Sequence, residues 1–386
     1  MDKDARLEQR AERLDALTRT GRDSDMGKLL RRFWQPVATS RGLAQGKAQF
    51  LRILSEDLTL YRGASGRAYL VAARCAHRLT LLHTGWVEGE EIRCIYHGWK
   101  YDGTGQCVER PAEEDEGIPK VRIASYPVHE YAGLVFAYMG DGPAPAFELP
   151  RKPAFERQGG HVFAKKQIWP CNWLQQVENS LDAVHVSFVH QAGRAGTFGQ
   201  AVSRTIPKLA YEETDAGIRQ IATRSNTNVR ISDWTFPNNN HISVPGFRQG
   251  DPWIDVGAWM VPVDDEHTAR FTLWGAPSGG PDFDRRLTDY AERMGDYNPS
   301  VDHDALFNGI YPDDTTFALT NAQDYVAQMG QGIVADREHE YLGTSDAGIV
   351  FLRRLYLREI EAIRAGRPTK TWRPLPHAAE LPIQVA

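Results

Sequence analysis

Cys75-Ala76-His77, followed further along by Cys94-Ile95-Tyr96-His97, are the two parts of the chain that say most about its architecture. Sixteen residues separate His77 from Cys94, and each part carries one cysteine and one histidine. In a two-iron cluster, two thiolates can bind one iron while two imidazoles bind the other. Each loop would then give one ligand to each iron. The pattern predicts a [2Fe-2S] cluster that passes single electrons.

The same four residues could hold a structural zinc ion instead. Zinc fingers usually place both cysteines before both histidines, whereas here the two residue types alternate. Glycine lets backbone N–H groups approach sulfur atoms closely, and glycines flank both loops at positions 85, 89, 98, 103 and 105. The alternating order and the glycines favour a Rieske-type iron–sulfur cluster over zinc.

Length and composition are those of an ordinary globular protein. The chain has 386 residues, 41% of them hydrophobic, and a net charge of −5, so it can bury a sizeable core and offers no broad basic surface for nucleic acid. No run approaches the ~18 apolar residues of a membrane span, and the charged N-terminus lacks a signal-peptide core. We expect a cytoplasmic protein without nucleic-acid or membrane partners, in which Cys107 and Cys171 are buried free thiols.

The sequence changes character near residue 150. Short β-type runs fill residues 50–138 and predict an antiparallel β domain around the cluster. Residues 140–153 are proline-rich and are interpreted as a linker. After it, strand-like runs at 161–169, 217–225, 242–247, 253–263 and 269–277 alternate with helical segments near 172–190 and 283–295. A final helix covers 347–366. The predicted fold class is α+β, with an N-terminal helical segment at 1–34 packing on the catalytic domain, a cluster domain at 35–148 and the catalytic domain at 149–386.

A second chemical signal lies at residues 172–190, NWLQQVENSLDAVHVSFVH. On an ideal helix with about 100° per residue, Glu178, Asp182 and His185 share one face, whereas His190 lies roughly 140° from His185. A metal that binds both imidazoles therefore requires the helix to end, bend or bulge between them, a distortion often found at functional sites.

Two neutral imidazoles and one carboxylate form the facial triad of non-haem Fe(II) oxygenases, which leaves positions open for dioxygen. Such an iron would give the electron-transfer cluster an acceptor. Spacing alone cannot choose the third ligand among the downstream aspartates, which include Asp313, Asp314, Asp324, Asp336 and Asp346.

The two motifs, in this order, resemble the oxygenase component of Rieske non-haem iron aromatic-ring-hydroxylating oxygenases, and the resemblance covers nearly the whole chain. Segments 29–38, 94–113, 172–190 and 335–354 are similar to the phthalate-dioxygenase-like branch. The resemblance implies an N-terminal antiparallel β Rieske domain and a C-terminal catalytic domain in which a curved antiparallel sheet wraps a long helix. It also implies a homotrimer without a small subunit.

Matched residue by residue, the resemblance implies that His185, His190 and Asp324 bind one mononuclear Fe(II). It also implies that the cysteines and histidines of the first motif bind one [2Fe-2S] cluster. Asp182 matches an aspartate that links the cluster histidine of one subunit, here His97, to the iron histidine of its neighbour, here His185. A carboxylate three residues before a ligand can also orient that ligand's free ring nitrogen.

The first cluster loop departs from the family pattern. Cys75-Ala76-His77-Arg78-Leu79 stands where members commonly have Cys-Pro-His-Arg-Gly, a change that can alter loop stiffness and cluster potential without removing a ligand. Leu79 and Tyr96 also occupy the positions at which respiratory-type Rieske proteins carry a disulfide. That difference favours a low-potential cluster of the oxygenase type.

The implied activity is that of a terminal oxygenase component, which uses dioxygen to hydroxylate, dihydroxylate or O-demethylate a carboxylated aromatic substrate. The chain has no G-x-G-x-x-G after a strand and no plant-type C-x₄-C-x₂-C run, so we expect a separate NAD(P)H-dependent reductase with flavin and iron–sulfur groups. A substrate carboxylate favours a bidentate arginine. Candidates for the pocket wall are Arg204, Arg224, Arg230 and Arg248, together with Asn179.

Two other function classes remain open. The chain could be a Rieske electron-transfer protein without oxygen chemistry of its own, whose second domain only docks partners. It could also be a metal-dependent hydrolase that binds zinc at the two-histidine site, which would leave the cluster without an evident purpose. His185, His190 and Asp324 argue against the first class, and dependence on dioxygen and reductant separates all three.

Overall fold

The computed structural model describes residues 3–114, 120–149, 152–190, 205–226, 228–312 and 316–371. The helices of these ranges are α1 (Lys3–Thr18), α2 (Asp25–Leu30), α3 (Trp173–Ser180), α4 (Pro281–Asp296), α5 (His303–Phe307), α6 (Thr316–Met329) and α7 (Ala347–Arg364). The strands are β1 (Trp34–Thr39), β2 (Ala48–Ile53), β3 (Glu56–Arg62), β4 (Ala68–Ala72), β5 (Trp86–Glu88), β6 (Glu91–Arg93), β7 (Lys100–Tyr101), β8 (Cys107–Glu109), β9 (Ser125–Tyr126), β10 (Val128–Tyr131), β11 (Leu134–Tyr138), β12 (His161–Trp169), β13 (Lys208–Glu213), β14 (Gly217–Ser225), β15 (Asn228–Thr235), β16 (Asn239–Val244), β17 (Ile254–Pro262) and β18 (Thr268–Ala276).

Three small antiparallel sheets form the N-terminal part of the protein. Their strand orders are β1-β11-β10, β2-β3-β4-β9 and β5-β6-β7-β8. One loop with a predicted cluster motif follows β4, and the other joins β6 to β7. Cys75 and Cys94 belong to a buried apolar cluster that includes Val71, Ile92 and Tyr101. The two loops are therefore fixed to the core of this part through their cysteines.

A seven-stranded antiparallel sheet forms the C-terminal part, in the order β12-β18-β17-β16-β15-β14-β13. Successive side chains of a strand point to opposite faces, and β18 illustrates the result. Arg270 and Thr272 line a cavity, whereas Phe271 and Leu273 join the main hydrophobic core. α3 packs against β16 and β17, so this helix lies next to the sheet that forms the cavity wall.

The long helix α7 joins the sheet to the N-terminal helices. Its buried Tyr356 contacts the rings of Trp173, Trp234 and Phe236 at centroid distances of 5.4–5.8 Å. Near its C-terminal end, Arg364 pairs with Asp25 of α2 at 2.6 Å. The N-terminal helices therefore pack on the C-terminal part of the protein. The domain limits at residues 34 and 148 stay a prediction.

The α+β fold class is confirmed, with a β-rich N-terminal part and a large antiparallel sheet in the C-terminal part. Cys107 and Cys171 are free buried thiols in separate clusters, as predicted. Among the described residues, no helix combines the length and apolar character needed to cross a membrane. The expected cytoplasmic location stays a prediction.

Candidate active site

The two cluster loops form turns with the same backbone geometry. The N–H of Leu79 donates to the carbonyl of Cys75 at 3.0 Å, and the N–H of Gly98 donates to the carbonyl of Cys94 at 3.1 Å. Leu79 and Gly98 have positive φ angles of 60° and 73°. At the base of each turn the cysteine N–H bonds a carbonyl five residues ahead, at 2.9 and 2.8 Å. Equivalent turns present equivalent ligand pairs, as a two-iron cluster requires.

The thiols are buried while the imidazoles lie near the surface. Cys75 and Cys94 are each 2% exposed, His77 is exposed and His97 is half-buried, and the two imidazole rings lie 4.5 Å apart. Burial and the neighbouring Cys75 raise the pKa of Cys94, against backbone N–H groups of Tyr96 and His97 that lower it. Two adjacent buried thiols ionise readily only beside a metal cation. These residues therefore fit an iron–sulfur cluster.

Two aromatic residues support the cluster loops. The ring of Trp99 stacks on that of His77 at 4.7 Å. The hydroxyl oxygen of Tyr101 accepts from the N–H of Ala76 at 3.0 Å and lies 3.2 Å from Sγ of Cys75, to which it can donate. Hydrogen bonds to cluster sulfurs tune the reduction potential. Neither residue was predicted from the sequence, although both lie within the four residues that follow the second motif.

His185, His190 and Asp324 meet in the C-terminal part, with ligand atoms that all lie within 4.8 Å of one another. Nε2 of His185 is 3.5 Å, and Nε2 of His190 is 3.4 Å, from Oδ1 of Asp324. This Oδ1 atom is buried and has no hydrogen bond among the described residues. Two nitrogens and one oxygen around a common point fit the facial triad of Fe(II). Asp313 and Asp314, two other candidates from the sequence, lie outside the described residues.

Both imidazoles reach this point because α3 ends early. The helix stops at Ser180, and His185 begins a 3₁₀ turn over His185–Ser187. Oδ1 of Asp182 accepts from the N–H of Val184 at 2.8 Å and from that of His185 at 3.3 Å. Such side-chain bonds compete with the helical ladder and favour its end. The sequence predicted an interruption between His185 and His190; the α-helix is interrupted earlier, at Ser180, so both histidines lie beyond its end.

The second ring nitrogen of each histidine faces an oxygen. Nδ1 of His185 lies 3.6 Å from Oδ2 of Asp182, and Nδ1 of His190 lies 3.4 Å from Oε1 of Gln323. Partners of this kind orient metal-binding imidazoles. Burial lowers the pKa of His185, but Asp182 and Asp324 raise it overall. Burial raises the pKa of Asp324, yet the two histidines bring it down to about 2, so this carboxylate is ionised. Gln323 was missed, although it directly precedes Asp324.

A cavity of about 150 Å³ adjoins these three residues. Its wall combines the end of α3, including Asn179 and Asp182, with the cavity face of the sheet, where Ile242, Val256 and Trp274 are apolar. An apolar cavity of roughly 150 Å³ is large enough for a single benzene ring. The expected position of Asn179 in the pocket wall agrees with this lining.

The four candidate arginines occupy different places. Arg204 lies outside the described residues, and Arg230 lines the cavity. Arg224 is half-buried, and its Nε donates to the carbonyl of Thr205 at 3.1 Å. Arg248 follows β16 beyond the edge of the cavity, where it is exposed and pairs with Asp282 at 3.0 Å. Its expected role in substrate binding is corrected, because its guanidinium points to solvent. Arg270 also lines the cavity and was missed, although it lies within the predicted strand run at 269–277.

Comparisons with known proteins agree with this architecture. The chain matches the family models described as Rieske [2Fe-2S] domain over residues 33–127 and LigXa C-terminal domain like over residues 137–376. It is 34% identical to the 5,5'-dehydrodivanillate O-demethylase oxygenase subunit of Sphingobium sp. strain SYK-6, over 93% of this chain and 82% of the relative. It is 30% identical to the phthalate 4,5-dioxygenase oxygenase subunit of Pseudomonas putida, over 91% of this chain and 86% of the relative.

Solved structures share the fold. The terminal oxygenase of carbazole 1,9a-dioxygenase from Nocardioides aromaticivorans IC177 superposes with a TM-score of 0.69, over 91% of this chain and 98% of that one, at 20% identity. Family models and sequence relatives together cover both metal motifs and the region between them. The chain belongs to the Rieske non-haem iron oxygenases, as an oxygenase component of their phthalate-dioxygenase-like branch.

Proposed function

We propose that this protein is the terminal oxygenase of a multicomponent system that oxidises a single-ring aromatic acid, by ring hydroxylation, dihydroxylation or O-demethylation. The observation that carries the proposal is the convergence of His185, His190 and Asp324 beside a cavity of ring size. Relatives named as an O-demethylase and as a dioxygenase are similarly close in sequence, so the proposal leaves the type of oxidation open. Neither an electron carrier nor a hydrolase would need this combination of sites.

The chain's own residues have distinct parts in this reaction. His185, His190 and Asp324 would hold the iron, and the two cluster loops would hold the [2Fe-2S] group. When bound, the iron supplies dioxygen activation and the cluster supplies electrons. Asp182 and Gln323 orient the two imidazoles. The sheet and the end of α3 surround the substrate ring and exclude bulk water from it.

Electron transfer between subunits of a homotrimer is part of the proposal. Large apolar side chains are exposed around the cluster histidines, with Leu79 at 62%, Tyr96 at 53% and Ile95 at 47%. An exposed apolar patch of this kind favours burial against another protein surface. The Asp182 side chain is 31% exposed and could receive a neighbour's His97. Head-to-tail contacts of this type form a ring when the rotation between successive subunits closes, and a trimer is the ring that we propose.

Oxygenase components of this family work with separate electron-transfer proteins. We propose an NAD(P)H-dependent reductase with flavin and iron–sulfur groups as the electron source for this chain. A dinucleotide-binding motif of the G-x-G-x-x-G type after a strand is absent from the sequence, which supports an external donor.

Metal analysis and EPR spectroscopy test the proposal directly. Purified protein reconstituted with ferrous iron should contain about three irons and two acid-labile sulfides per chain and give a Rieske-type signal after dithionite reduction. Asp324→Ala should lose about one iron and keep that signal. With an added reductase, the wild-type protein should couple dioxygen uptake to oxidation of an aromatic acid. Two irons per chain with no further uptake would reduce the protein to an electron carrier.

A further inference from the structure

Two side chains of the sheet hold the end of α3. A helix leaves the last backbone carbonyls without partners inside the helix, and the carbonyl of Leu181, the residue after α3, needs such a partner. The hydroxyl of Tyr211 on β13 donates to it at 3.0 Å, and Nε2 of Gln220 on β14 donates to it as well. Leu181 is buried, so bulk water offers no alternative donor. The sheet therefore fixes the carbonyl that directly precedes Asp182.

Tyr211 and Gln220 share this carbonyl but differ in what else they touch. The two residues lie directly opposite each other in the antiparallel pair of β13 and β14, so their side chains stand next to each other on one face. Nε2 of Gln220 also lies 3.4 Å from the hydroxyl of Tyr211. The ring of Tyr211 lies against Gly348 of α7, outside the cavity lining, whereas Gln220 lines the cavity. Gln220 therefore contacts both the cavity and the end of α3.

The hydrogen bond to Leu181 decides which way the Gln220 amide faces. A carbonyl can only accept, so the amide nitrogen must face Leu181 and Oε1 must point elsewhere. Oε1 of Gln220 has no hydrogen bond within the described part of the chain. It is also not shielded as Oε1 of Gln176 is, another amide of the cavity wall whose oxygen is buried. The structure thus leaves a hydrogen-bond acceptor open to the cavity at Gln220.

The Leu181 carbonyl is one residue away from the group that orients an iron ligand. Oδ1 of Asp182 accepts from the N–H groups of Val184 and His185, and Oδ2 lies 3.6 Å from Nδ1 of His185. Because Leu181 and Asp182 share a peptide bond, a tighter hold on the Leu181 carbonyl restricts the Asp182 side chain. A chain of contacts therefore runs from the cavity wall through Gln220 to the ring of His185.

We propose that Oε1 of Gln220 accepts a hydrogen bond from a hydroxyl group on the substrate ring, and that this contact steadies Asp182 and His185. Hydrogen bonds in a chain polarise one another, so an amide that accepts through its oxygen donates more strongly through its nitrogen. Gln220 is then a specificity-determining residue towards the substrate and a positioning residue towards the iron site. The inference deepens the proposed function, on which it rests for the identity of the ligand as substrate, and it favours phenolic acids.

Calorimetric titration under anaerobic conditions tests the contact, using protein that holds both its cluster and ferrous iron. Benzoate and the three hydroxybenzoates serve as probes. We expect the wild type to bind at least one hydroxybenzoate about 3- to 10-fold more tightly than benzoate, the affinity equivalent of one neutral hydrogen bond. Gln220→Met should lose this preference, and so should Gln220→Asn, whose amide is too short to reach both partners. Tyr211→Phe should keep it, because Tyr211 holds the same carbonyl from outside the cavity.

Two results would overturn the contact. One is a wild type that binds no hydroxybenzoate more tightly than benzoate. The other is a Gln220→Met or Gln220→Asn variant that folds and keeps the full preference.

EPR of the nitric oxide adduct of the ferrous iron tests the positioning role, since this signal reports the geometry around the metal. In the wild type, the preferred hydroxybenzoate should change the spectrum more than benzoate does. Gln220→Met should respond alike to both probes. Glu212→Gln, which changes an exposed neighbour of Tyr211 on β13, is the matched control and should respond like the wild type. Equal responses to both probes in the wild type would show that hydroxyl binding does not reach the iron ligands.

The two proposals can fail separately. A hydroxyl preference that Gln220→Met removes, without reductase-dependent dioxygen uptake on any aromatic acid, would keep the Gln220 contact and overturn the proposed function. Reductase-dependent oxidation of aromatic acids, with a hydroxyl preference that Gln220→Met leaves intact, would keep the oxygenase and overturn the role of Gln220.

Discussion

Leu79 adopts the left-handed backbone conformation, and the equivalent position of the other cluster loop is a glycine, Gly98. Its φ angle is 60°, whereas Gly98 in the equivalent position has 73°. The left-handed region costs a non-glycine residue about 1–2 kcal/mol. The surrounding turn must therefore hold Leu79 in place through its hydrogen bond to Cys75.

Leu79→Gly should relieve this strain. Part of the gain is offset because glycine loses about 0.5–1 kcal/mol more conformational freedom on folding, so we expect the free energy of unfolding to rise by up to about 1 kcal/mol. Denaturant unfolding of the cluster-loaded protein measures this change. Gly98→Ala is the opposite control, since a Cβ there would lie 2.8 Å from Cγ of Pro111, and it should destabilise the loop. A loss of stability for Leu79→Gly similar to that of Gly98→Ala would rule out strain at Leu79.

Sequence identifies the metal motifs far better than it identifies the residues around them. The cysteines and histidines of the loops have fixed spacings that follow from ligand geometry. Arg230 and Arg248 carry no such signal, because both are arginines in one stretch of alternating strands and turns. Only the strand limits show that Arg230 lies within β15 and faces the cavity, whereas Arg248 follows β16 and faces solvent.

At the scale of elements, the short helix α3 is held by a network of charged side chains. Oε2 of Glu178 accepts from Nη2 of Arg337 at 2.7 Å, and Oε1 accepts from Nε of Arg353 at 2.6 Å. Arg353 belongs to α7 and also pairs with Glu340. Glu178 is in the last turn of α3, directly before the segment with Asp182 and His185. The network therefore connects α7 and the 335–340 segment to the position of an iron ligand.

Glu178→Gln should weaken both stability and iron binding. The change removes the carboxylate that pairs with Arg337, whose side chain is only 2% exposed. Breaking a buried ion pair costs about 3–5 kcal/mol. We expect lower resistance to urea and faster loss of ferrous iron to a chelator, with an unchanged cluster EPR signal. Glu338→Gln, an exposed neighbour of the network, should match the wild type in both measurements. Wild-type iron retention in Glu178→Gln would mean that the network does not position α3.

Prediction of elements from the sequence succeeded where alternation was clear. The runs at 161–169 and 217–225 correspond to β12 and β14 residue by residue. β13 at Lys208–Glu213 and β15 at Asn228–Thr235 were not identified. β13 is an edge strand in which only Leu209 and Tyr211 are half-buried, so its apolar alternation covers just two residues. The helix predicted near 172–190 ends at Ser180, because the Asp182 carboxylate accepts hydrogen bonds from the backbone N–H groups of Val184 and His185.

At the scale of the whole molecule, the cluster histidines lie near the surface whereas the iron ligands lie inside the C-terminal part. Electrons must pass from the first site to the second. Ring contacts described for His97 are with His77 and Tyr96 of its own loops, whereas His185 faces Asp182 and Asp324. In the proposed route between subunits, a second chain would bring its His97 to Asp182. In a cyclic assembly every subunit would both give and receive electrons.

Mixed oligomers test this arrangement. Cys94→Ser removes a cluster ligand and Asp324→Ala removes an iron ligand, so each variant alone should be inactive. When the two are co-expressed with different affinity tags and purified as mixed oligomers, an active junction needs an intact cluster on one side and an intact iron site on the other. In a mixed cyclic trimer one of the three junctions has this composition, so we expect roughly a third of the wild-type activity. Proteins purified separately and mixed without subunit exchange should stay inactive. Inactive mixed oligomers would instead place electron transfer within a single chain, since neither variant has both sites intact.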